Sequence, residues 1–191
     1  MTAPKISRAK QDRVETVNRF IRNSLAAAAF AVLSVPAFAQ NEQSEGPAET
    51  VKATHGDWEV VCLTQKPEEC RMRQIGTVAD GKRVMVVHIG KLKDAKTPDG
   101  KPIPAAIRIT TPLGTLLREG LRLKIDNGQE QTGAFNICVP SGCIVSEPIS
   151  DQFLTQLKAG NVAKMSFNVL QQGAINVNIS LKGFTKAYDA L

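Results

Sequence analysis

The sequence predicts an all-β, sandwich-like domain with one or two short helices and two short-range disulfides, and three observations predict it. From residue 57 onward, short segments rich in Val, Ile, Leu and Thr are separated by turn residues at the spacing of an antiparallel β domain. Two of these segments alternate strictly between apolar and polar side chains, so each offers one face to a core and one to water. Four cysteines fall in two close pairs, each around a short turn.

The elements follow in chain order. Lys5, Arg8, Lys10, Arg13, Arg19 and Arg22 precede an apolar run from Ser24 to Val35, and Ala37-Phe38-Ala39 comes next. This is the order of a secretory signal peptide over residues 1–39, cleaved after Ala39. An uncleaved anchor would need roughly 20 apolar residues. The run from Ser24 to Val35 has 12. Cleavage leaves 152 residues (191 minus 39), about one domain with a core of its own. Residues 1–39 hold six of the 24 basic and two of the 18 acidic residues, so the net charge falls from +6 to +2 (18 minus 16). That balance removes the main support for a nucleic-acid partner. Residues 40–53 are polar around Gly46-Pro47 and read as a flexible stalk, leaving 54–191 as the single domain.

Strands are expected at 57–64, 69–78, 83–92, 104–111, 121–126, 130–138, 143–147, 163–170 and 174–182. In the last, Ile175, Val177, Ile179 and Leu181 share one face, while Asn176, Asn178, Ser180 and Lys182 share the other. Leu121, Leu123 and Ile125 alternate likewise with Arg122, Lys124 and Asp126, and Asp126-Asn127-Gly128 supplies the residue types of a tight hairpin. Residues 93–103 read as an exposed loop. One interior helix is expected, capped by Ser150, with Phe153, Leu154 and Leu157 on one face and Gly160 at its end. Phe184, Tyr188 and Leu191 at i, i+4 and i+7 predict a short terminal helix laid on the core.

Thiols of an exported chain meet an oxidising compartment and usually pair. Four cysteines allow three connectivities. Lys66-Pro67 lies between Cys62 and Cys70, and Val139-Pro140-Ser141-Gly142 between Cys138 and Cys143, which favours pairing within each close pair. Each closure would contribute roughly 2–3 kcal/mol by loop entropy. Structural zinc is the rival use of four cysteines, but intervals of seven and four residues are not the two-residue knuckles of such sites. No metal or other cofactor is expected.

Gly56-Asp57-Trp58, Cys62, Cys70, the stretch Thr111-Pro112-Leu113-Gly114-Thr115-Leu116-Leu117, Cys138, Gly142-Cys143 and Leu181-Lys182-Gly183-Phe184 occur in that order, followed by Ala187 and Leu191. From about residue 55 to its C-terminus the chain resembles the invasion-associated locus B family, with His55 where the family usually has an aromatic residue. The resemblance implies a small exported protein of alphaproteobacteria, periplasmic or envelope-associated, with a sandwich-like β fold and both short-range disulfides. It implies a link to host-cell invasion in some pathogens, and no molecular activity. The same residues also have plain structural readings. Trp58 suits a core anchor. Gly56 and Asp57 suit a bulge or tight approach to a strand. Pro112 and Gly114 suit a turn between neighbouring strands, and Gly183 and Phe184 a hinge with a plug for the end of a sheet.

Candidate catalytic residues are few. His55 and His88 are the only histidines, so most acid–base or metal schemes would need one of them. His88 lies among Val84, Met85, Val86, Val87 and Ile89 and reads as a hydrogen-bonded or edge histidine; His55 reads as exposed. No Gly-x-Ser-x-Gly elbow, phosphate loop, His-Glu-x-x-His or Cys-x-x-Cys occurs, and closed disulfides would consume the thiols. The expectation is a protein without catalytic residues. Lys82, Arg83, Lys91, Lys93, Lys96 and Lys101 form a basic cluster that could meet acidic headgroups or a partner; as a plain reading, they are solvated charges guarding an edge strand. The leading function is therefore an exported interaction protein, offering Lys91, Lys93, Lys96 and Lys101 to an envelope or host protein. It would lie in the periplasm, at the outer membrane or outside the cell, without a membrane span of its own. The alternative is a periplasmic binding protein for a small ligand or lipid held between the sheets, which requires a sizeable apolar pocket.

Overall fold

The structure, a computed structural model, describes residues 48–191. The expected signal peptide and residues 40–47 of the expected stalk lie outside these residues. The remainder of the stalk is corrected: Glu49–His55 is a strand, β1, paired antiparallel with β2 (Trp58–Leu63). Its polar composition hid it, because β1 is an edge strand held by backbone hydrogen bonds and buries little of its own surface.

β3 (Lys66–Thr77), β4 (Arg83–Lys91) and β5 (Ala105–Thr111) continue the meander. The chain then turns through a short 3-10 segment, Leu117–Glu119, into β6 (Leu121–Ile125) and β7 (Glu130–Gly133). β8 (Phe135–Val139) and β9 (Gly142–Ile149) follow, then helix α1 (Asp151–Ala159). β10 (Val162–Val169), β11 (Gly173–Ser180) and helix α2 (Phe184–Asp189) complete the order. Seven strands pair as β1-β2-β3-β4-β5-β9-β8 and four as β11-β10-β6-β7.

The two sheets share one core. Met72, Val87, Ile89, Ile107 and Ile109 of the larger sheet and Leu121, Met165, Phe167, Val177 and Ile179 of the smaller one are all buried. Their alternation with polar neighbours is the sequence pattern expressed in space. Gly76 of β3 marks a close approach between the sheets, since a Cβ there would lie 2.6 Å from Val177 Cγ1.

Three expectations change in detail. The single strand expected at 130–138 is two strands in different sheets, with the chain crossing at Gly133–Ala134. A Cβ on Gly133 would press 3.0 Å from Val145 Cγ1, so glycine lets β7 pass over β9. Pro112–Gly114 likewise carries the chain from the larger sheet to the smaller one, rather than joining neighbouring strands. The turn between Cys62 and Cys70 falls at Thr64-Gln65, so Lys66-Pro67 already belongs to β3.

Both helices form as the sequence predicts. Ser150 Oγ accepts the Phe153 N–H at 3.2 Å, and Leu154 and Leu157 are buried. Gly160 ends α1 for a different reason than expected: its φ of −80° is open to any residue, but a Cβ would lie 2.6 Å from Ile125 Cγ2. Among the described residues no helix is long and apolar enough to cross a membrane.

Candidate functional site

The sequence landmarks from the two ends of the domain meet at one place. Gly56 and Asp57 form the two-residue turn of the β1–β2 hairpin, with Gly56 at φ +60°. A Cβ on Gly56 would lie 2.5 Å from the Lys182 carbonyl oxygen, and one on Gly183 (φ +86°) would strike the His55 carbonyl. Two glycines are therefore needed where the backbones cross. Asp57 N–H donates to Lys182 O at 3.1 Å, and Trp58 Nε1–H donates to Ser180 O at 2.9 Å. The Trp58 ring is buried edge-on against Phe184, with centroids 5.3 Å apart, and Phe184 is stacked on Tyr188 at 6.3 Å. His55, read as exposed, is half-buried here.

Gln74 completes the clasp and was not singled out from the sequence. Its Nε2 donates to Asp57 O and Ser180 O, each at 2.9 Å, and its Oε1 accepts from Ser180 N at 2.9 Å. The signal was its position: a polar residue on the inward face of β3 between Met72 and Gly76 must find partners when buried. These bonds tie β2 and β3 to the end of β11, and the Trp58–Phe184 contact adds α2.

Both expected disulfides are present, Cys62–Cys70 and Cys138–Cys143, each between directly opposed residues of a hairpin with Cα atoms 4.0 Å apart. No thiol remains free.

The predicted lysines do not converge on one point. Lys91 Nζ sits 5.0 Å from the Tyr188 ring centroid, beside Lys158 at 4.7 Å, so both cover the aromatic end of α2. Lys91 and Lys93 do share one broad, open groove, lined also by Lys52, Arg71, Glu69 and Leu191. Lys96 bridges to Pro102 and Lys101 pairs with Asp99 at 2.9 Å, both within a small hairpin folded inside the 93–103 loop. Thr97 N–H donates to Lys101 O at 2.8 Å and Ile103 N–H to Ala95 O at 2.8 Å, so this loop has backbone order of its own.

A charged row on the outer face of the larger sheet went unread in the sequence. Glu49 of β1 accepts from Arg71 and from Arg73 (3.0 Å), and Arg73 also reaches Glu59 at 2.6 Å. His88 Nε2 lies 3.8 Å from Glu49 Oε1 and makes no hydrogen bond among the described residues. His88 is on β4, the middle strand of seven, so it is neither an edge residue nor hydrogen-bonded through Nε2. Burial, reinforced by Arg71, pushes its pKa down to about 4, against the opposing pull of Glu49. The row was hidden because its members come from four strands. Among the described residues no group of three or more His, Cys, Asp or Glu side chains is placed to hold a metal.

One slot opens between the sheets. About 270 Å³ is lined by Ile107, Ile109, Leu121, Leu123, Val145 and Phe153, with Gln131, Thr132, Glu147 and Ser150 among its polar lining.

Known proteins resemble this chain in sequence and in fold. The family model described as invasion associated locus B (IalB) protein matches residues 58–191. An invasion protein B homolog of Brucella abortus (strain 2308) is 31% identical over 164 residues, covering 84% of this chain and 89% of that protein. Invasion protein B of Bartonella bacilliformis is 27% identical over 185 residues, covering 90% and 96%. The crystal structure of invasion associated protein B from Bartonella henselae superposes with a TM-score of 0.55 at 25% identity, over 72% of this chain and 93% of that one.

Proposed function

Because the chain belongs to the invasion-associated locus B family, we propose that it is a non-enzymatic interaction protein of the bacterial envelope, exported by a signal peptide cleaved after Ala39. It acts in the periplasm, at the outer membrane or outside the cell, through a single domain that extends from β1 to residue 191, and its partner is an envelope or host protein. The observation that carries this reading is the use made of the family's landmarks. Gly56, Trp58, Gly183 and Phe184 are consumed by one another in a structural clasp, and both cysteine pairs are closed. Residues spent on the scaffold leave recognition to surface loops, which vary while a frame holds them. Lys93, Lys96 and Lys101 of the ordered 93–103 loop, with Lys91 at its base, offer such a surface.

The experiment is crosslinking of tagged protein in its native envelope, with mass spectrometric identification of what is retained beyond a signal-peptide-matched control. A reproducible protein crosslinked through 93–103 supports the reading. Retention of none, or retention unchanged when Lys93, Lys96 and Lys101 are replaced by Gln, overturns the loop as the contact. Persistence of every phenotype in a His55→Ala/His88→Ala double variant speaks further against acid–base catalysis.

The slot between the sheets supports a second reading, a binding protein for a small apolar ligand. At about 270 Å³ it lies just below the roughly 300–1,000 Å³ of typical ligand sites. Native mass spectrometry of envelope-derived protein tests it, since a copurifying mass lost in a Leu123→Phe variant would favour the slot.

A further inference from the structure

The second stretch of family residues, 111–117, builds a surface that the clasp does not explain. Three of the six large apolar side chains that stand exposed among the described residues are here: Leu113 (56% exposed), Leu117 (43%) and, on the adjoining β10–β11 turn, Leu170 (62%). Their loops are fastened together. Leu170 N–H donates to Gly114 O and Leu116 N–H to Asn168 O, each at 2.8 Å, and Thr115 bridges to Val169. Inside the first loop, Thr115 Oγ1 is 2.8 Å from Pro112 O and 3.0 Å from Thr111 Oγ1. The leucines are therefore held outward by a bonded frame.

The rim is also free of charge. Pro112-Leu113-Gly114 and Leu170-Gln171-Gln172 carry no ionisable side chain, nor does the neighbouring β8–β9 turn Val139-Pro140-Ser141. That turn adjoins the rim because Gly142 packs against the Thr111 carbonyl. Arg118 follows Leu117 directly, and Arg122 stands on the outer face of β6, bonded to Ser166 Oγ at 3.1 Å. The only acid beside the rim in that segment, Glu119, accepts a hydrogen bond from Asn168.

We propose that this rim docks the protein on an acidic lipid bilayer, with Leu113, Leu117 and Leu170 entering the interface and Arg118 and Arg122 meeting the headgroup charge. Outward-pointing leucines on two turns suit a soft medium that closes around them. Uncharged tips flanked by arginines match the order of apolar interior and anionic surface met on entering such a bilayer. The inference stands apart from the partner reading above, because crosslinking through 93–103 reports a protein and vesicles report a lipid.

The test is flotation of envelope-derived protein with phosphatidylcholine vesicles with and without phosphatidylglycerol. Expected is a bound fraction that rises with phosphatidylglycerol, falls at least about tenfold in Leu113→Ser/Leu170→Ser, and weakens with salt less steeply in Arg118→Gln/Arg122→Gln. A Leu113→Trp variant guards against misfolding: its emission should shift to the blue on acidic vesicles, while buried Trp58 stays constant. Absence of binding by the unaltered protein, binding indifferent to both leucines, or an unshifted Leu113→Trp emission would overturn the proposal. Capture of a soluble protein through these leucines without vesicle binding would likewise replace the bilayer with a protein occupant.

Discussion

At the residue scale, Gly183 and His88 show how position governs chemistry. Gly183 combines a positive φ with a neighbouring backbone where a Cβ would stand. Gly183→Ala should therefore cost roughly 3 kcal/mol or more, combining a strained conformation with a clash that only backbone movement can relieve. Urea unfolding of the two proteins measures it, and a cost under about 1 kcal/mol would mean the crossing relaxes easily. His88 predicts a pH dependence. It is half-buried among Glu49, Arg71, Arg73 and Arg108 on the outer sheet face, and its pKa is pushed from 6.5 to about 4. Below pH 6.5 the unfolded chain takes up a proton that the folded chain refuses until about pH 4. The unfolded state thus binds more protons in that window, and stability must fall as pH drops through it. His88→Gln should flatten the dependence of the urea midpoint between pH 6.5 and 4, whatever slope the carboxylates add. Equal slopes in the two proteins would show that His88 titrates normally.

At the element scale, the hairpins are stapled individually. Replacing Cys62 and Cys70 by Ser opens a loop of eight residues, and chain entropy sets that loss at about 2.5 kcal/mol. Equilibrium unfolding of the double variant checks it, with the oxidised unaltered protein as reference; a loss near zero would mean that β2–β3 pairing already restricts the unfolded chain. The legibility of these elements followed their periodicity. β11, β6, α1 and α2 could be read because apolar residues recurred at their spacing and Ser150 marked a start. β1 was illegible because an edge strand with polar side chains on both faces has no period to detect. The sheet switch inside 130–139 was illegible because Gly133 announces nothing about Val145, which lies twelve residues on and meets it only through the tertiary fold. The same limit applied to the charged row: Glu49, Arg73 and His88 become neighbours only through register. The disulfides and Trp58, by contrast, were readable because a short turn and a single large aromatic constrain their surroundings locally.

At the scale of the whole molecule, the domain is closed by its own ends. The β1–β2 turn and the segment 180–184 are far apart in sequence, yet they share backbone bonds and the Trp58–Phe184 contact, with Tyr188 stacked behind. Phe184 is 1% exposed and Ala187 is fully buried, so α2 is part of the core although it is only six residues long. A helix of that length has little stability alone; it forms because its apolar face completes the space around Trp58. Phe184→Ala should then cost roughly 3–5 kcal/mol, a large part of the 5–15 kcal/mol typical of a domain. It should also loosen the far strand, since Phe184 packs edge-on against the ring whose Nε1–H donates to Ser180 O. Trp58, the single tryptophan, reports this directly: its emission in Phe184→Ala should move to the red in native buffer and its near-ultraviolet dichroism should weaken. If the emission stays blue while stability falls, α2 contributes burial but does not hold the clasp, and the two ends of the domain are joined by Gln74, the Trp58–Ser180 bond and the backbone.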